Sequence, residues 1–223
     1  MAEHLNDEEQ LETLKRWWRQ NGVPILSAVV LVGGGWFGWQ FWQDSRTENA
    51  AEASLLYANM LQQLAAYEEA GAEDGSRVAA SAQTLKDLHA KSQYGRYAGL
   101  VLARLAVDDG DLDDAAGQLR WVVDSARDPG LEHLATLRLA RVEAARGNDD
   151  EALSLLQASV PAPLVSLYAE LEGDLHLRRG DHTAASAAYR RALDNLAPAD
   201  TSARPLLELK LSQAALDDAE EDA

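Results

Sequence analysis

From Val23 to Trp42 the chain reads VPILSAVVLVGGGWFGWQFW, twenty residues without a charged side chain. As a helix rising about 1.5 Å per residue, such a run covers roughly 30 Å, the thickness of a bilayer's hydrocarbon core. Five of the six tryptophans surround it: Trp17 and Trp18 precede it, and Trp36, Trp39 and Trp42 lie in its far part. Indole rings collect at membrane–water boundaries, where an apolar body and a polar N–H are both accommodated. The run therefore predicts a transmembrane anchor over 23–42, dividing a short N-terminal segment, 1–22, from a long C-terminal part, 43–223. Lys15, Arg16 and Arg19 stand before the run, whereas Arg46 and then Arg77 are the next basic residues after it. That Lys/Arg bias keeps the N-terminus in the cytoplasm and exports the remainder. A cleaved signal peptide fits less well. The run is longer than a usual signal core, and the nearest A-x-A, Ala51-Glu52-Ala53, lies well past Trp42.

The exported part carries 17 of the 20 Lys/Arg and 32 of the 37 Asp/Glu, a formal charge of −15. A surface of that sign lacks the cations that neutralise nucleic-acid phosphate or anionic lipid headgroups. Cysteine is absent, so packing alone must hold the exported domain, and thiol catalysis and zinc–cysteine sites are excluded. Its pattern is helical: apolar residues recur at three- and four-residue steps, as in Ala53, Tyr57, Met60, Leu64, Tyr67 and Val78, Ala82, Leu85, Leu88. Gly110-Asp111, Gly147-Asn148 and Gly180-Asp181 each end one amphipathic stretch and open another. Glycine suits the left-handed residue that closes a helix, and Asp or Asn can cap the next one. The glycines are 37 and 33 residues apart, close to the roughly 34-residue tetratricopeptide period. The expected fold class is all-α: an N-terminal transmembrane helix, then a tetratricopeptide-like α-solenoid of antiparallel helix pairs. Three degenerate repeats occupy 93–197. Residues 44–70 and 76–92 form an N-terminal cap pair around a turn at Gly71 to Ser76, and 205–219 form a capping helix. In the third copy Gly173 is the small residue at a close helix crossing, with Ala185, Tyr189 and Ala192 following at the expected offsets. The acidic end, Asp217 to Asp222, reads as solvated.

No catalytic constellation can be assembled. No two of His4, His89, His133, His176 and His182 have metal-ligand spacing, and neither a nucleophile elbow nor a phosphate loop occurs. Asp113/Asp114 and Asp149/Asp150 sit at helix starts, where the helix dipole explains them. The chain is thus expected to be no enzyme and to need no cofactor or metal. Two features could carry binding. The first helix of each repeat lines the concave face of such an array. It would present Tyr97, Leu100, Arg104 and Val107 from copy one, and Leu134, Leu137, Arg141 and Ala144 from copy two. Copy three would add Leu167, Glu170, Asp174 and Leu177. This groove could receive a partner segment, or the C-terminal helix could fill it. In the anchor, Gly34 and Gly38 form a G-x-x-x-G face against which another membrane helix can pack.

Read together, EEQLETLKRWWRQNG, the anchor ending GWQFW, LRLARVEAARGNDDEAL and GDLHLRRGDHTAASAAYRRAL resemble the YfgM family, the ancillary subunits of the bacterial SecYEG translocon, along nearly the whole chain. The resemblance implies a single-pass protein of the bacterial inner membrane with a periplasmic repeat domain. Its implied partners are SecYEG, a PpiD-like periplasmic foldase and emerging polypeptide chains, without nucleic acid. It implies an adaptor or chaperone-like role in passing translocated chains to periplasmic chaperones, and no catalytic residues. A different reading of the same repeats is a structural scaffold for another envelope assembly, serving cell-wall synthesis or division.

Overall fold

A computed structural model describes the backbone of residues 2–71, 75–198, 200 and 202–221. Side chains are described for these except 2–14, 25, 26, 28, 29, 44–46 and 216–221. Residues 72–74 of the turn expected at Gly71 to Ser76, and the side chains of the acidic end, lie outside the described residues. Among the described residues every regular element is an α-helix: α1 (Ala2–Glu69), α2 (Ser76–Leu88), α3 (Gln93–Asp108), α4 (Leu112–Ser125), α5 (Pro129–Ala145), α6 (Asp149–Leu156), α7 (Ala162–Arg178), α8 (His182–Asp194) and α9 (Arg204–Glu221). The chain divides into two compact units, 1–52 and 53–223.

In the first unit the aromatic residues pair along the helix. Trp17 and Trp18 have ring centroids 6.5 Å apart, and Trp36 and Trp39 6.1 Å. Val30, Leu31, Val32, Phe37 and Phe41 are all largely exposed, so the apolar surface is not confined to one stripe. Among the described residues no helix is long and apolar enough to cross a membrane. Four apolar residues of the run, Ile25, Leu26, Ala28 and Val29, are among those whose side chains lie outside the description.

The second unit is a solenoid whose successive helices pack on one another through small residues. Ala53, Met60, Ala82, Leu85, Ala98 and Leu102 join the end of α1 to α2 and α3. Ala103, Ala106, Ala115, Leu119 and Leu139 continue the core through α4 to α5. Leu137, Ala140, Ala152, Leu156, Tyr168 and Leu175 carry it to α7. The three turns predicted from glycine recur with one geometry: Gly110, Gly147 and Gly180 have φ of +78°, +82° and +75°. After each, the next residue's N–H bonds back five residues, Asp111 to Ala106, Asn148 to Glu143 and Asp181 to His176, at 2.8–2.9 Å. Asp111 and Asp181 then accept from the N–H groups of Asp114 and Ala184, both at 3.0 Å. These bonds satisfy carbonyls at one helix end and amides at the next start, which makes the turn short and its angle reproducible. Asn148 is the exception. Its side chain makes no cap bond, and its amide donates to the buried Glu143 Oε2 at 2.7 Å.

The second helix of the cap pair differs from its expected bounds. α2 stops at Leu88 rather than continuing to 92, since Ser92 caps α3 by accepting from the Gly95 N–H at 3.0 Å. The intervening turn lies so close to α3 that a Cβ on Gly95 would stand 2.3 Å from the His89 carbonyl oxygen.

α7 and α8 approach most closely at Gly173, where a Cβ would meet the Tyr189 ring at 2.5 Å. Tyr189 has no exposed surface and its hydroxyl donates to Asp174 Oδ1 at 2.8 Å. Burial, and then the bond to Asp174, push its pKa up from the ordinary tyrosine value. α9 closes the array, with Leu207 buried beside Ala169, Ala185 and Tyr189. Gly173→Ala should lower stability by about 2 kcal/mol, the usual cost of forcing an extra carbon into a tight core. Gly117→Ala, where a Cβ meets nothing within 4 Å, should be neutral or raise stability by up to about 1 kcal/mol by stiffening the unfolded chain. Urea unfolding of both variants checks this, and equal effects would refute the close crossing.

Candidate functional site

The expected groove is only partly continuous. α3, α4 and α5 enclose a cleft of about 370 Å³, floored by apolar side chains including Leu100, Leu119 and Val142, with Val107 at the rim. Arg104 of α3 and Arg138 and Arg141 of α5 stand at its walls. Of the predicted residues the structure thus brings together Leu100, Arg104, Val107 and Arg141. Arg104 Nη1 bonds Glu68 Oε1 at 2.6 Å and its Nε lies 3.8 Å from Asp108. Neither Arg138 nor Arg141 has an ion pair among the described residues. Burial depresses the Arg138 guanidinium below its ordinary pKa, and the neighbouring charges of Arg141 and Arg104 add to the effect.

The remaining predicted positions lie elsewhere. Tyr97 is half-buried with its ring centroid 5.7 Å from that of Tyr57. Leu134 is half-buried and does not line the cleft. Leu137 is only 1% exposed and belongs to the core between α5 and α7, so it is not a groove residue. Ala144 is buried in the same core. The third copy's face is covered by α9. Lys210 Nζ reaches Glu170 and Asp174, each at 2.8 Å, and Leu177 packs against the cluster that includes Leu207. Leu167 is left 39% exposed, outside the cleft. A Cβ on Gly34 or Gly38 would meet nothing within 4 Å, so both glycines present an open face.

Arg138 stands three residues before Arg141 but falls outside the expected groove, because a register set by the glycines selects one residue per turn of each helix. α5, however, buries residues on several faces, including Leu131, Ala135, Leu139, Val142 and Ala144, which blurs the periodicity that would mark its open side.

The cleft walls are held by charge. Glu143 has no exposed surface, and its carboxylate accepts from Arg120 of α4 at 2.5 Å, from Arg146 at 2.8 Å and from Asn148 at 2.7 Å. Arg120 also bonds Glu151 at 2.8 Å, and Arg146 bonds Asp113, so α4, α5 and α6 meet at one node. One repeat further on, Arg178 and Arg179 bond Asp149 and Asp150. The helix-start acids thus hold the following repeat as well as complementing the dipole. Among the described residues no group of three or more His, Cys, Asp or Glu could hold a metal ion.

Residues 15–216 match the model of the tetratricopeptide repeat-like domain family. The chain is similar to a protein of Haemophilus influenzae named ancillary SecYEG translocon subunit, with 30% identity over 86% of this chain and 91% of the relative. A protein of the same name from Escherichia coli K12 is 30% identical over 82% of this chain and 85% of its own. One from Neisseria gonorrhoeae is 28% identical over 95% and 98%. No solved structure matches the chain.

The Glu143 node makes a graded prediction. Removing a partner of a buried ion pair costs roughly 3–5 kcal/mol when the remaining charge is stranded. In Glu143→Ala the arginines keep Glu151 and Asp113 and reach water, so the loss should be smaller, about 2–3 kcal/mol. Arg120→Ala leaves Glu143 bonded to Arg146 and Asn148 and should cost about 1 kcal/mol. Chemical denaturation of the two variants gives the order, and a loss from Arg120→Ala as large as from Glu143→Ala would remove the node from its central place.

Proposed function

Because the chain belongs to the family of ancillary SecYEG translocon subunits, we propose that it is a membrane-anchored adaptor of the SecYEG translocon whose repeat domain binds partner proteins. The observation that carries the reading is similarity at 28–30% identity to relatives of that name, spanning 85–98% of their length. On this reading residues 23–42 cross the bacterial inner membrane once. The uncharged run and the apolar side chains exposed on all sides of that stretch support it, since such a helix is stable only inside protein or lipid. Pro24 within it is tolerated near the start of a membrane helix. The basic residues before the run keep 1–22 in the cytoplasm and place the repeats in the periplasm. There the domain would meet emerging chains and a PpiD-like foldase and hand substrates on by binding rather than by catalysis. Gly34 and Gly38 give the anchor a flat face for close packing against a translocon helix.

A reporter active only in the periplasm, fused after residue 223, should be active, with a cytoplasmic reporter at the same place silent; the reverse pattern overturns the topology. Affinity purification of the full chain from native membranes in mild detergent should recover SecYEG, as identified by mass spectrometry. Gly34→Leu/Gly38→Leu should reduce that recovery several-fold while leaving the thermal unfolding of the repeat domain unchanged. Division or cell-wall proteins recovered without SecYEG would overturn the adaptor reading, and undiminished recovery with the leucine variant would remove the glycine face from it.

A further inference from the structure

In this chain 37 acidic residues outnumber 20 basic ones, and the repeat arginines Arg120, Arg146, Arg178, Arg179 and Arg191 are each bonded to a carboxylate. Arg138 and Arg141 have no ion pair among the described residues, and they share an address. They lie three residues apart on α5, so both side chains project from one face, and that face walls the α3–α5 cleft. Opposite them is Arg104, already neutralised by Glu68. Between the walls the floor is aliphatic: Leu100, Leu119 and Val142. Two cations with no ion-pair partner among the described residues, side by side at an apolar cleft, repel each other when the cleft is empty. A ligand that brings carboxylates removes the repulsion, and apolar groups on the same ligand displace water from the floor.

We propose that the α3–α5 cleft is a docking site for an acidic amphipathic segment of a partner polypeptide, with leucine-sized side chains on the floor and carboxylates on Arg138 and Arg141. The proposal deepens the adaptor reading and rests on it for the polypeptide nature of the ligand. The third repeat cannot offer an equivalent site, because α9 occupies its face and Lys210 takes up Glu170 and Asp174. Of the faces expected to form the groove, the one left open is therefore the cationic α3–α5 cleft. Its specificity comes from charge sign: the acidic bulk of the domain disfavours an acidic segment, whereas Arg138 and Arg141 at this cleft favour one.

The test uses the full chain in detergent micelles and a fluorescent twelve-residue peptide with leucine and glutamate at helical spacing, read by anisotropy. The peptide should bind, its affinity should fall as salt is raised, and Arg138→Glu/Arg141→Glu should weaken it by at least about tenfold. Peptides with lysine for glutamate, or serine for leucine, should bind far more weakly. Arg138→Gln/Arg141→Gln, which removes charge without adding repulsion, keeps the test valid if the reversed variant does not fold. Equal binding to wild-type and both variants, or to glutamate and lysine peptides, overturns the proposal. So does binding of laurate with no binding of any peptide, which would assign the cleft to a small amphiphile. SecYEG recovery with the same variants separates the two readings. Lost peptide selectivity with SecYEG retained defeats only the cleft, whereas absence of SecYEG from the wild-type purification defeats the adaptor.

Discussion

The Glu143 carboxylate sits in the interior of the repeat domain with no exposed surface, and three donors from different parts of the chain converge on it. A buried charge is tolerable only when its lone pairs are all engaged, and here the donors are Arg120, Arg146 and Asn148. Because the three come from α4, the end of α5 and the following turn, the carboxylate fixes how those segments meet. An apolar residue would bury as readily but would not select one register. The second partners of Arg120 and Arg146, Glu151 and Asp113, lie on α6 and α4. The register of the first two repeats thus depends on one side chain.

Around that node the solenoid is built from small residues and repeated turns. Alanine at Ala103, Ala115, Ala140, Ala152, Ala169 and Ala185 lets helices approach, and Gly173 allows the tightest crossing, against Tyr189. Dense packing of this kind substitutes for the disulfides that the chain lacks. The helix-start acids serve two ends at once. Asp113, Asp149 and Asp150 complement the dipole of their own helix and receive arginines from the end of the first helix of the following pair. Individually such exposed pairs contribute little, and their value lies in orienting one repeat on the next.

The ends of the repeat array differ in what they leave open. At the C-terminal end α9 covers α7 and α8 and consumes the charged positions of the third repeat. Toward the N-terminal end the surface between α3 and α5 remains concave, apolar at the floor and basic at the wall. On the proposed reading, the chain holds a membrane partner through residues 23–42 and a polypeptide through the cleft. Joined on one chain, two modest affinities become a stronger one through effective concentration.

Much was legible in the sequence where a local rule determines the outcome. The glycine-closed turns at Gly110, Gly147 and Gly180 and the Gly173–Tyr189 crossing each follow from residues close in sequence or at a known repeat offset. The helical nature of the domain followed from its periodicity for the same reason. What only the tertiary structure decided were choices between faces. Leu137 and Ala144 had the right spacing for the groove, yet α7 packs over them and makes them core. For Glu170, Asp174 and Leu177 the sequence leaves two outcomes, an open groove or one filled by the C-terminal helix, and α9 takes the second. Asn148 does not cap α6 as Asp111 and Asp181 cap their helices, and its amide donates to the buried Glu143 instead of remaining solvent-facing. Periodicity specifies that a residue lies on a stripe, whereas which stripe faces a neighbouring helix depends on contacts between residues distant in the chain.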